Sequence, residues 1–182
     1  RTLRTFQSSV VPGILQTAEY ARRVLSFFHT PFADGDVAAA VAGRLNRQLA
    51  LYEADKQFSF LLTEAALRWR PGPVELQLAQ LDRIASVSTL DNVSVGVIPL
   101  GVQATTLLTH AFVIYDGPHE QDTRVSVETI HAHLVVKSTG DVALYRQRWE
   151  LLNAMAISGG EAREFIIGLL TDLRSSPGRG PH

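Results

Sequence analysis

The sequence predicts a single α/β (α+β) domain, a small mixed β-sheet flanked by helices and helical at both ends. Three observations lead there. Apolar residues recur at three- and four-residue steps near both ends of the chain, the spacing that lays a stripe along a helix. A strand–helix–strand pattern occupies the middle, and two β-rich runs then flank a polar loop containing Gly117-Pro118. At 182 residues the chain is long enough for one well-buried core, and its 46% hydrophobic and 19% charged residues argue against disorder.

Pro12-Gly13 punctuates the entry to the first helix, where Ile14, Ala18, Ala21, Leu25 and Phe28 share a face. Thr30-Pro31 ends it. Asp34 or Asp36 is placed to cap a second helix, in which Val37, Val41, Leu45, Leu49 and Tyr52 form the buried stripe. Its opposite face carries Arg44, Arg47 and Gln48. Phe58 to Leu62 reads as a buried strand, Thr63 as the cap of a short helical turn through Arg68, and Pro71-Gly72-Pro73 as its stop. Val74, Leu78, Leu81 and Ala85 mark a third helix before the strand Val93 to Ile98, which implies a parallel pair with a right-handed crossover.

Ala111 to Tyr115 and Arg124 to Ile130 are expected to form hairpin strands on the same sheet, with His133 to Val136 extending or following them. After Thr139-Gly140-Asp141 the helical period returns in Val142, Tyr145, Trp149, Leu152 and Ala156. Ser158-Gly159-Gly160 interrupts it, and Ala162, Phe165, Ile166, Leu169 and Leu173 form a last helix. The domain is expected to span 1–173, with 174–182, rich in Ser, Pro and Gly, as a flexible tail.

Charge and composition narrow the function classes. Seventeen basic against 18 acidic residues give a net charge of −1, whereas a domain that grips nucleic acid alone carries a basic excess. Lys56 and Lys137 are the only lysines, so arginine, with its planar fork suited to carboxylate and phosphate, is the working cation. With no cysteine there is no disulfide, thiolate zinc site or Cys nucleophile. No apolar run is long enough for a membrane helix.

Catalytic signatures are missing: no Gly-x-Ser-x-Gly elbow, His-Glu-x-x-His or phosphate loop is present. His131 and His133 would share one face of a strand, but Glu128 falls on the other, so no metal site is expected. No cofactor is expected either. The candidate ligand- or partner-binding residues are Pro12, Gly13, Gln16, Tyr20, Arg44, Arg47, Gln48, Glu64 and Arg68. Arg44, Arg47 and Gln48 with Glu64 and Arg68 would make a polar pocket for an anion, or Glu64 would pair with an arginine and lock helix to sheet. Gly13 permits close backbone approach, either to a ligand or simply at a turn. Gln16 and Tyr20 lie one helical turn apart, placed to bond a guest or nearby backbone.

Six runs in fixed order carry a family resemblance: Val11 to Ala21, Arg44 to Gln48, Leu62 to Arg68, Asn92 to Leu100, Val127-Glu128-Thr129, and Tyr145 to Leu152. Together they resemble the actinobacterial antitoxin-like regulator domain that follows an XRE-type helix-turn-helix, from Phe6 to about Ile167. Gly101 to Ala104 and the Arg68 to Gly72 turn depart from the family pattern. The resemblance implies a cytoplasmic, non-enzymatic sensing, partner-binding or dimerisation domain of a transcriptional regulator. Its implied partners are a small protein encoded nearby and a second copy, with no membrane. DNA would be reached only through an upstream helix-turn-helix, which these 182 residues do not show; the start at Arg1 rather than Met fits an upstream segment. The alternative is a small-molecule or nucleotide-binding enzyme with an Arg/Glu cleft.

Overall fold

The computed structural model describes residues 1–27 and 34–175. Phe28, the Thr30-Pro31 stop, the Asp34 side chain and the tail beyond Ser175 lie outside the described residues. Seven strands form one mixed sheet: β1 (Thr2–Gln7), β2 (Gln57–Thr63), β3 (Val93–Ile98), β4 (Phe112–Asp116), β5 (Arg124–Glu128), β6 (His133–Val136) and β7 (Ile157–Ser158). Their order is β6-β5-β4-β1-β2-β3-β7. β1, β2 and β3 run parallel, and β4, β5, β6 and β7 pair antiparallel with their neighbours. The expected α/β single domain, helical towards both ends, is what forms.

Six helices cover the sheet unequally: α1 (Ala18–Leu25), α2 (Asp34–Arg47), α3 (Glu64–Arg68), α4 (Val74–Val87), α5 (Thr139–Asn153) and α6 (Gly159–Ser175). On one face, Phe58, Phe60 and Leu62 of β2 and Val95 and Val97 of β3 pack with α4 and α6. On the other face, Phe6, Phe112, Ile114, Val125 and Val127 pack against Val142, Trp149, Leu152 and Met155 around α5. Alternation along the strands separates these two cores. β4 and β5 contribute to the α5 core only, so their other side carries no apolar layer from the first core.

Several elements differ from expectation. β1, unassigned from the sequence, sits at the centre of the sheet, between β2 and β4. The first helix does not start at Pro12-Gly13; that pair opens a single 3-10 turn, Gly13–Leu15, and α1 starts after Thr17, whose hydroxyl accepts from the Tyr20 N–H at 3.2 Å. Asp36 lies within α2 rather than at its cap.

The second helix tightens into a 3-10 turn, Gln48–Tyr52, which rotates its inner face. Val41 is buried and Val37 packs beside it as expected, but Leu45 is exposed, and beyond the turn Gln48 and Leu51 are buried in place of Leu49 and Tyr52. In α4 the buried line is Gln77, Gln80, Leu81, Ile84 and Val87; Val74, Leu78 and Ala85 lie at its margin. β5 stops at Glu128, and Thr129 to Ala132 turn the chain, with the Thr129 N–H donating to the Ala132 carbonyl at 2.9 Å.

Thr63 caps α3 as expected, accepting from the Ala66 N–H at 3.1 Å. Gly96 on β3 marks a close approach: a Cβ there would lie 2.7 Å from Leu61 Cδ2 and 3.3 Å from the Ala156 Cβ. Gly96→Val should therefore lower stability by about 2 kcal/mol through overpacking. A denaturant midpoint unchanged from the parent would show that the sheet yields there at no cost. None of the described helices is long and apolar enough to cross a membrane.

Candidate functional site

The uncovered side of β4 and β5 is the floor of a cavity of about 840 Å³. Strand register builds that floor in rows: Leu3 beside Tyr115 beside Arg124, then Thr5 beside Val113 beside Ser126. Paired residues on adjacent strands point the same way, so each row presents three side chains to one space. The wall is made by Pro12, Gly13, Ile14 and the end of α2, where Arg44 and Arg47 stand one turn apart. Glu128, at the end of β5, also borders the cavity.

A chain of side-chain amides shapes this wall. Gln16 donates through Nε2 to the Val11 carbonyl at 2.7 Å and accepts through Oε1 from Arg44 Nη1 at 2.6 Å. Gln48 Nε2 donates to the Gln16 carbonyl at 2.6 Å and the Gly13 carbonyl at 3.3 Å. Gln80 closes the set from α4, donating to the Leu15 carbonyl and accepting the Thr17 N–H, both at 2.8 Å. The run from Val11 to Thr17 makes few regular backbone ladders, and buried peptide groups need partners. Glutamines on three separate segments supply them. Gly13 serves the same packing: a Cβ there would lie 3.2 Å from Arg44 Nε.

Arg44 is thereby held in place by a neutral amide. No carboxylate lies within 4.0 Å of it or of Arg47 among the described residues. Burial pushes the Arg44 guanidinium below its ordinary pKa, and the Arg47 charge adds to this, while Glu128 offsets part of it across the cavity. Three charged residues of the lining are engaged elsewhere. Asp116 takes Arg146 at 2.8 Å and Arg4 at 3.5 Å, Lys56 pairs with Glu53, and the Arg124 guanidinium stacks over Tyr115 at 4.7 Å.

The nine sequence candidates divide in three. Pro12, Gly13, Arg44 and Arg47 line the cavity. Gln16, Tyr20 and Gln48 are buried behind its wall as struts. Glu64 and Arg68 are not part of its lining, so the single pocket expected to join them to Arg44, Arg47 and Gln48 does not form. Instead Glu64 Oε1 accepts from Arg68 Nε at 2.6 Å and its Oε2 from the Leu100 N–H at 2.9 Å. The pairing is with the arginine one turn along its own helix, and the Leu100 bond ties α3 to the end of β3.

Tyr20 is fully buried, and burial raises its phenol to about 12. Its hydroxyl completes no hydrogen bond among the described residues. The ring packs edge-on against Trp69, with centroids 6.4 Å apart. Residues missed from the sequence are Gln80, which carries the network, and the floor of Leu3, Thr5, Val113, Tyr115 and Ser126. A polar residue recurring inside an apolar helix face was the available sign for Gln80.

Glu64 allows a direct check. Burial alone would raise its carboxyl, but the Leu100 N–H and the Arg68 hydrogen bond and charge outweigh it, leaving the carboxyl below its ordinary 4.5. A carboxylate stabilised in the fold contributes fully above its unfolded pKa and loses that contribution as pH falls through the lower folded value. Glu64→Gln should therefore cost about 1 kcal/mol at pH 7, and the gap should narrow as pH falls below the ordinary 4.5. Urea midpoints of both proteins at pH 7 and pH 3 would show it. A constant gap would assign the loss to shape rather than charge.

A family model described as a domain of unknown function (DUF5753) matches residues 1–168. No curated protein and no solved structure matches the chain.

Proposed function

The chain belongs to that family, DUF5753, and we propose that it is the sensing or partner-binding half of an XRE-type, actinobacterial transcriptional regulator. In this reading it is not an enzyme. DNA is contacted by a helix-turn-helix joined ahead of it, a second copy completes a cytoplasmic dimer, and a small protein encoded nearby is the antitoxin-like partner. The observation that carries the reading is the cleft walled by Arg44 and Arg47, whose lining also includes Thr2 and Leu3 of β1. A DNA-binding domain joined ahead of β1 would leave at the mouth of this cleft. Occupancy would then be felt at the junction between the two halves.

The enzyme alternative relied on Glu64 as its acid, and Glu64 is occupied by Arg68 and the Leu100 amide outside the cleft. That favours binding over catalysis.

The test is fluorescence anisotropy with a duplex carrying the promoter of the encoding operon. Residues 1–182, with net charge −1, should bind weakly and with little salt dependence. The same chain preceded by the helix-turn-helix should bind at least a hundredfold more tightly, as specific sites exceed non-specific ones by about 10³ or more. Tight duplex binding by residues 1–182 alone would overturn the division of labour.

A further inference from the structure

Taking the cleft as the sensing site, its chemistry specifies the ligand class. We propose that it binds a small organic acid, with a single carboxylate or phosphate head held by Arg44 and Arg47 and an apolar body lying on Leu3, Val113 and Tyr115. This rests on the sensing reading and adds the ligand to it.

Arg44 is preorganised for the role. Its stem lies against Gly13, and one guanidinium N–H is spent on Gln16 Oε1, which fixes the plane. It makes no other hydrogen bond among the described residues, so the rest of its planar fork has no protein acceptor. Arg47 stands one turn further along the same wall and makes neither a hydrogen bond nor an ion pair through its side chain among the described residues. One partly engaged guanidinium and one without a protein partner among the described residues, side by side on one wall, suit one oxyanion, and bidentate geometry favours carboxylate or phosphate over a simple halide.

The floor decides what the rest of the ligand is. Leu3, Val113 and Tyr115 are only partly buried although they point into the concave side of the sheet, so an apolar body gains by covering them. At about 840 Å³ the space suits a ligand of ordinary metabolite size. Glu128 sets the charge limit. It borders the cavity within electrostatic reach of Arg44, so a second anionic group placed near it would be repelled. One anionic head group at the arginine wall, with none near Glu128, is the best match.

The experiment uses 8-anilinonaphthalene-1-sulfonate, an aromatic monoanion whose fluorescence reports binding to the full chain. Saturable one-to-one binding is expected. Arg47→Gln, at an exposed position with no protein bond to lose, should weaken it at least threefold, and Arg47→Glu at least tenfold. Glu128→Gln should tighten it about twofold by removing a like charge. Arg44→Gln should abolish it, but Arg44 also braces Gln16, so the Arg47 and Glu128 variants decide the matter. Phenylacetate and phenyl phosphate should each displace the probe at lower concentration than benzyl alcohol, and their ranking identifies the head group.

No saturable binding, equal affinity in all variants, or equal displacement by the neutral alcohol would overturn the proposal. None of those results touches DNA binding by the longer chain, so the sensing reading stands or falls separately.

Discussion

Gln80→Leu is expected to lower the free energy of unfolding by about 2 to 4 kcal/mol. Leucine matches the volume and suits the apolar face of α4, so packing alone predicts little change. The cost comes from what Gln80 satisfies: its amide donates to the Leu15 carbonyl and accepts the Thr17 N–H, each at 2.8 Å. Removing it strands two backbone groups in or beside the core, at about 1 to 3 kcal/mol for each group left unpaired. The Thr17 side is the more accessible of the two, which keeps the total below the upper limit.

Gln77→Leu is the control. Gln77 is equally buried on the same helix, yet it makes one bond, to the Leu67 carbonyl, and its own Oε1 has no partner among the described residues. Leucine there strands one group while removing another already stranded, so about 1 kcal/mol is expected. Chemical denaturation of both variants separates the cases. Equal losses would mean that the amide network adds nothing beyond the burial of α4.

The same contrast explains how far the sequence was readable. Elements with a clean period were found: the α5 stripe of Val142, Trp149 and Leu152, the α6 stripe, the Thr63 cap and the parallel strands β2 and β3. Motifs were located more reliably than roles. The Val11 to Thr17 run and the Arg44 to Gln48 run stood out as distinctive, and they do meet, through Gln16, Gln48 and Arg44. Gln16 and Gln48 satisfy neighbouring groups within that meeting, while Pro12, Gly13, Arg44 and Arg47 line the cleft.

What failed, failed for physical reasons. β1 has only Leu3 and Phe6 as apolar residues in six, and its place at the sheet centre comes from pairing on both sides rather than from its own pattern. The α2 stripe holds at Val37 and Val41 but fails at its end, where a 3-10 turn from Gln48 breaks the 3.6-residue period and buries Leu51 instead of Leu49 and Tyr52. The cleft floor depends on register between strands more than 100 residues apart in sequence, which local periodicity cannot encode.

Trp149→Ala should have the largest effect, about 3 to 5 kcal/mol, and an uneven one. Trp149 is 5% exposed within the cluster that joins α5 to β4 and β5. β2 and β3 are held by the larger core with α4 and α6, whereas the inward side chains of β4 and β5 pack only in the α5 core. Loosening α5 therefore releases β4, β5 and β6 before β2 and β3. Amide exchange should accelerate most in 112–136 while 57–63 and 93–98 remain slow, the signature of a local opening unit. Because Val113 and Tyr115 sit on β4, anion binding in the cleft should weaken even though Trp149 faces the opposite side of the sheet. Uniform acceleration across all strands would show instead that the two cores unfold as one unit, and that the cleft floor is as rigid as the centre of the sheet.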